Sequence, residues 1–193
     1  MFETLFISTG VVALAEIGDK TQLLAFILAA RFKKPVPIIL GILCATVVNH
    51  GLAGALGAWI TSAITPETMR WVLGASFIAM AIWTLIPDKI EDEETQVAQR
   101  WGVFGATLIT FFLAEMGDKT QIATVAMAAK FSSPVVVVIG TTLGMLIADV
   151  PAVFVGDRFA AKIPMKLVHS IAAGIFAILG IATLAGAGAG WGI

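Results

Sequence analysis

Ala15-Glu16-Ile17-Gly18-Asp19-Lys20-Thr21-Gln22 lies in the middle of a long apolar run, and the stretch returns 99 positions later as Ala114-Glu115-Met116-Gly117-Asp118-Lys119-Thr120-Gln121. Seven of the eight residues are identical in the two copies. Two acids and a lysine inside hydrocarbon-grade sequence are costly, and packing does not require them. An ionisable residue in such a place marks a functional site by default. Repetition of the whole octet strengthens that inference.

The octets sit in a chain built for a bilayer. Of 193 residues, 59% are hydrophobic and only 13% charged, with a mean hydropathy of +0.96. A soluble domain carries about 25% charged residues, so this chain lacks the polar surface to cover a globule in water. The net charge of −1 says nothing about partners, and no basic patch points to nucleic acid. The single Cys44 excludes a disulfide framework and a CxxC site. His50 and His169 are far apart, which argues against a histidine-rich metal site. The N-terminus Met1-Phe2-Glu3 has no basic region, so the first apolar segment reads as a retained span rather than a signal peptide.

Six segments reach the roughly 20 apolar residues that a spanning helix needs. They run over about residues 4–30, 35–60, 69–86, 102–129 and 134–155, with a sixth from Pro164 to about Gly186. The expected fold is an all-α membrane protein of six transmembrane helices. The repeat covers most of the chain: at the same offset Ala29-Ala30 matches Ala128-Ala129, Pro35-Val36 matches Pro134-Val135, Gly41 matches Gly140, and Thr84-Leu85 matches Thr183-Leu184. This divides the chain into a first three-helix repeat (1–87), an acidic linker (88–101) and a second three-helix repeat (102–193). Three spans per half is odd, so the second half enters from the opposite side, as an inverted-topology repeat.

Lys and Arg in the loops set the orientation. One side holds Arg31, Lys33, Lys34, Lys89, Arg100, Arg158, Lys162 and Lys166; the other holds Arg70 and Lys130. This bias puts the linker in the cytoplasm and both termini outside, with Trp191 as an interfacial anchor.

On a continuous helix Glu16, Asp19 and Gln22 would share one face, as would Glu115, Asp118 and Gln121. Each Glu falls near the middle of its span, so inversion lets the two acidic faces meet at the midplane, where transporters of this architecture bind substrate. Carboxylate, amide and hydroxyl oxygens are hard donors that suit Mg²⁺, Ca²⁺ and Mn²⁺ rather than copper or zinc. The candidate ligands are Glu16, Asp19, Gln22, Glu115, Asp118 and Gln121. Lys20, Thr21, Lys119 and Thr120 support them. Gly18 and Gly117 serve either a local unwinding or a close helix contact. Four carboxylates and two lysines leave the octets at −2, which one divalent cation or two protons would neutralise. The same carboxylates would then carry either ion, which suits antiport. The bland alternative makes Glu16–Lys20 and Glu115–Lys119 simple i,i+4 ion pairs, but it leaves Asp19 and Asp118 unexplained. Met116 offers a soft thioether or is apolar filler. Asn49 and Asp149 are polar groups within the second and fifth spans, Asp149 matching His50 by offset. They are candidates for a neutral ligand and a proton path, or for helix–helix hydrogen bonds. Thr46, Thr141 and Thr142 read as packing residues.

The doubled Glu-x-Gly-Asp-Lys-Thr, at Glu16–Thr21 and Glu115–Thr120, resembles the signature of the family that includes the bacterial MneA manganese exporters and the eukaryotic Golgi cation/proton exchangers. The resemblance covers essentially the whole chain, and its small size looks like the bacterial branch. It implies export of Mn²⁺ from the cytoplasm, or of Ca²⁺ in some members, in exchange for H⁺. The localisation implied is a bacterial inner membrane. The metal is then cargo, no resident cofactor is expected, and the protein is not an enzyme. Two other classes remain in view. A passive cation channel would use the same acids without coupling. An intramembrane aspartyl protease would need two aspartates but not the Glu and Lys beside each, and the sequence lacks a Gly-x-Gly-Asp motif.

Overall fold

The computed structural model describes residues 1–86, 101–155 and 165–186. Eight α-helices and no strands occur among them: α1 (Phe2–Glu16), α2 (Lys20–Phe32), α3 (Pro35–Ala63), α4 (Pro66–Thr84), α5 (Gly102–Glu115), α6 (Lys119–Lys130), α7 (Pro134–Val155) and α8 (Met165–Leu184). The acidic linker lies outside the described residues apart from Trp101. So do Arg158, Lys162 and Trp191.

The first correction to the sequence reading is in the two octet segments. Neither is one continuous helix. The first breaks between α1 and α2 over residues 17–19, and the second between α5 and α6 over residues 116–118. The cause is local. Gly18 and Gly117 have φ of +86° and +77°, a region open to glycine but costly for other residues. The unwinding alternative for these glycines is therefore the one that holds. Two unbroken helices, Pro35–Ala63 and Pro134–Phe154, are apolar and long enough to cross a bilayer. Proline opens α3, α4 and α7, where its missing N–H costs nothing. Pro151 lies inside α7 and removes the donor that would bond the carbonyl of Ile147 one turn back.

The halves are interlocked rather than side by side. α1 packs on α7, α3 on α5 and α6, and α4 on α8. Equivalent residues make equivalent contacts. A Cβ on Gly41 of α3 would meet Thr107 of α5, at 2.7 Å from its Cβ, and one on Gly140 of α7 would meet Ser8 of α1 at 2.8 Å. Ser8 and Thr107 are themselves 99 residues apart. At both places absence of a side chain lets two helices touch.

Polarity runs opposite to that of a soluble domain. Ser8, Thr46, Asn49, His50, Thr107, Thr110, Thr124 and Asp149 are buried, while Leu52, Leu56, Trp59, Ile82, Val135, Phe154, Ile178 and Ile181 are exposed. An outer surface of this kind is stable against lipid chains, and aggregates in water.

Candidate metal centre at the paired helix breaks

Each octet builds the same turn. The N–H of Asp19 donates to the carbonyl of Glu16 at 3.0 Å, and that of Asp118 to Glu115 at 3.1 Å. One Glu thus ends the incoming helix and one Asp starts the outgoing helix. The Gln three residues on secures the glycine: Gly18 N–H donates to Gln22 Oε1 at 2.9 Å, and Gly117 N–H to Gln121 Oε1 at 2.8 Å. The Thr hydroxyls reach back to the Glu, Thr21 to Glu16 Oε2 and Thr120 to Glu115 Oε2, the latter at 3.0 Å. Glu, Gly, Asp, Thr and Gln of each octet all take part in forming or securing the break.

The breaks bring the acids together. One carboxylate oxygen from each of Glu16, Asp19 and Asp118 lies within 4.8 Å of the other two, and all three residues are buried. Opposite oxygens around a hard cation bound at about 2.1–2.4 Å stand about 4.2–4.8 Å apart, so the cluster is of the right size for such an ion. Glu16 also keeps Oε1 without a hydrogen-bond partner among the described residues. An unsatisfied carboxylate oxygen in a dry interior is costly, and a cation removes that cost.

The lysines depart from the i,i+4 expectation. Because the backbone turns at the glycine, helical spacing no longer relates Glu16 to Lys20. Each lysine instead crosses to the aspartate of the other half. Lys119 Nζ lies 3.0 Å from Asp19 Oδ1, with both side chains fully buried. Lys20 Nζ lies 3.7 Å from Asp118 Oδ1 and is 20% exposed.

The two halves then diverge. Glu115 is outside the three-acid cluster among the described residues, and its Oε2 lies 3.9 Å from His50 Nε2 on α3. Sequence reasoning passed over His50 as a site residue. The signal available was its offset match with Asp149, since two buried ionisable groups at equivalent positions are unlike packing residues. Asp149 is fully buried, and neither carboxylate oxygen has a hydrogen-bond partner among the described residues. Gln22 Nε2 donates to the carbonyl of Ala148 at 3.0 Å, whereas Gln121 Nε2 donates to Asn49 Oδ1 at 3.3 Å. Asn49 and Ala148 are repeat equivalents, so a side chain in one half does what a backbone carbonyl does in the other. Asn49 also donates to the carbonyl of Phe112 at 3.1 Å. Met116 is 58% exposed.

A family model described as divalent cation/proton antiporter GDT1 matches the chain twice, over residues 4–92 and 103–191. The chain belongs to this GDT1 family. Both matches contain one octet, so the family's repeat and the structural repeat coincide. Among curated relatives of this GDT1 chain, a Vibrio cholerae protein provisionally named a manganese exporter is 48% identical over 184 residues, covering 95% of this chain and 91% of the relative. GDT1-like protein 4 of rice is 30% identical over 201 residues, covering 91% of the chain and 71% of the relative. A GDT1-like protein of Synechocystis is 28% identical over 189 residues, covering 88% and 91%. No solved structure gives a significant match. As a member of a transporter family, the chain is an integral membrane protein.

Proposed function

We propose that this protein exports a divalent cation, Mn²⁺ before Ca²⁺, across a bacterial inner membrane in exchange for protons. The observation that carries the reading is the convergence of Glu16, Asp19 and Asp118, from both halves, on one buried cluster at two helix breaks. Discontinuous helices at an inverted repeat are a recurrent means of building an ion site in transporters. In this reading α1 with α2, and α5 with α6, are interrupted spans, and the fold has six spans in two inverted halves. The linker is cytoplasmic and both termini are outside. Glu16, Asp19 and Asp118 hold the ion, Glu115 with His50 flanks it, and Gln22 and Gln121 fix the broken backbone.

The crossed lysines supply the working principle. Lys119 already places a cation on Asp19. An incoming metal competes with that ammonium for the same oxygen, and the ammonium returns when the metal leaves. The empty site therefore never carries its full negative charge through the membrane. Preference for Mn²⁺ draws on the name of the Vibrio relative, and proton coupling on the family description.

The test is metal flux into proteoliposomes with Mn²⁺, Ca²⁺ and Mg²⁺ compared under an imposed pH gradient. Uphill Mn²⁺ movement driven by the gradient is expected, and Glu16→Gln should abolish it while the protein stays folded in the membrane. Purely downhill flux would indicate a channel.

A further inference from the structure

A cavity of about 380 Å³ opens between the end of α3, the start of α4 and the turn joining α6 to α7. It is remote in function from the acids: its one charged lining residue is Lys130. Lys130 is 91% buried, being 9% exposed. Its Nζ donates to Thr183 Oγ1 at 2.6 Å and stands 5.9 Å from the centre of the Phe77 ring. No carboxylate lies within salt-bridge distance of it among the described residues. A hydroxyl and a ring face satisfy one of three ammonium donors and part of the charge.

The repeat sharpens the point. The equivalent of Lys130 in the first half is Arg31, which is exposed. Cationic residues at helix ends normally reach outward to the interface, as Arg31 does and Lys130 does not. Pro66 and Pro134, the first residues of α4 and α7, also line the cavity, so the positive ends of two helix dipoles stand at its wall. Trp59 and Trp71, at the neighbouring ends of α3 and α4, are 65% and 54% exposed. Exposed tryptophans mark the headgroup level of a bilayer.

We propose that this cavity binds the phosphate of an anionic phospholipid, with Lys130 as its electrostatic anchor and Ala58, Ile64 and Met69 receiving the apolar start of the lipid. The site asks for one negative charge, hydroxyl-sized polar contacts at Ser132, and apolar walls at headgroup depth. The phosphodiester end of a lipid offers all three, whereas free phosphate lacks the apolar part. The assignment needs only that the protein is embedded in a membrane, not that it transports metal.

The experiment uses the full-length protein, delipidated in a neutral detergent, and measures binding of phosphatidylglycerol, phosphatidylcholine and inorganic phosphate. Phosphatidylglycerol should bind more tightly than phosphatidylcholine. Lys130→Gln should weaken phosphatidylglycerol about tenfold, the loss expected for one charge-assisted hydrogen bond. Lys130→Arg should retain most of the affinity, and Arg31→Gln should leave it unchanged. Equal binding of the two lipids, or unaltered binding by a folded Lys130→Gln, overturns the proposal. Saturation by inorganic phosphate alone overturns the lipid assignment. Should Lys130→Gln fail to fold, a phosphatidylglycerol analogue with a photoreactive headgroup decides the matter on the wild type. Labelling of residues 128–134 supports the site, and labelling confined to other segments overturns it.

Discussion

Lys119 and Lys20 occupy equivalent sequence positions but unequal places. One is fully buried with an ammonium–carboxylate distance of 3.0 Å, and the other is partly exposed at 3.7 Å. A buried, close pair interacts more strongly than a partly solvated one. If the ammonium competes with the metal, Lys119→Met should bind Mn²⁺ more tightly than wild type, by about tenfold, and Lys20→Met should change affinity less. Isothermal titration in detergent measures both. Weaker binding in Lys119→Met would mean that the lysine positions Asp19 rather than competing for it. The octets were legible because a doubled acidic motif in apolar sequence has no packing explanation. The crossing of the lysines was not legible, since the i,i+4 rule presumes a helix that Gly18 interrupts. Nor was the approach of His50 to Glu115, which depends on how α3 packs against the second half.

At the scale of the element, the break is the unit that each octet builds. Gly117 has φ of +77°, and a Cβ added there would meet nothing within 4 Å. Gly117→Ala therefore carries conformational strain without a steric clash, about 1–2 kcal/mol for a left-handed residue. Thermal unfolding in detergent should show a folded but less stable protein. Because the strain falls on the turn that carries Asp118, Mn²⁺ affinity should drop as well. Gln121→Leu removes the acceptor for the Gly117 N–H and the donor to Asn49. It should weaken metal binding without touching any carboxylate, which equilibrium titration would reveal. Asn49→Ala, removing only the second of these contacts, should have the smaller effect. From sequence the helices were legible as apolar runs between polar turns, with ends correct to a few residues. The breaks were visible only as an open choice, because a glycine in an apolar run equally suits close packing.

At the scale of the molecule, interlocking decides what folds with what. α1 finds its partner in α7, and α3 in α5 and α6, so residues 1–87 alone lack most of the surfaces they are shaped to meet. Expressed separately, either half should be unstable in the membrane. The two halves co-expressed, with the chain cut within residues 88–100, should assemble and bind Mn²⁺. Recovery of a folded, isolated half would contradict this packing. Topology has its own check: cysteine labelling should place Gln96 in the cytoplasm and a residue beside Trp191 outside, and both on one side would refute inversion. The repeat itself was legible from the 99-residue offset, whereas the exchange of packing partners between halves was not. Periodicity reports which face of a helix is apolar, but not which neighbour covers it.

The matched contacts of Gly41 on Thr107 and of Gly140 on Ser8 show that each half offers the other the same fit. Within that shared frame His50 stands where the other half has Asp149, and Lys20 and Lys119 differ in burial: the fit of the halves is symmetric, and the charges around the acidic turns are not.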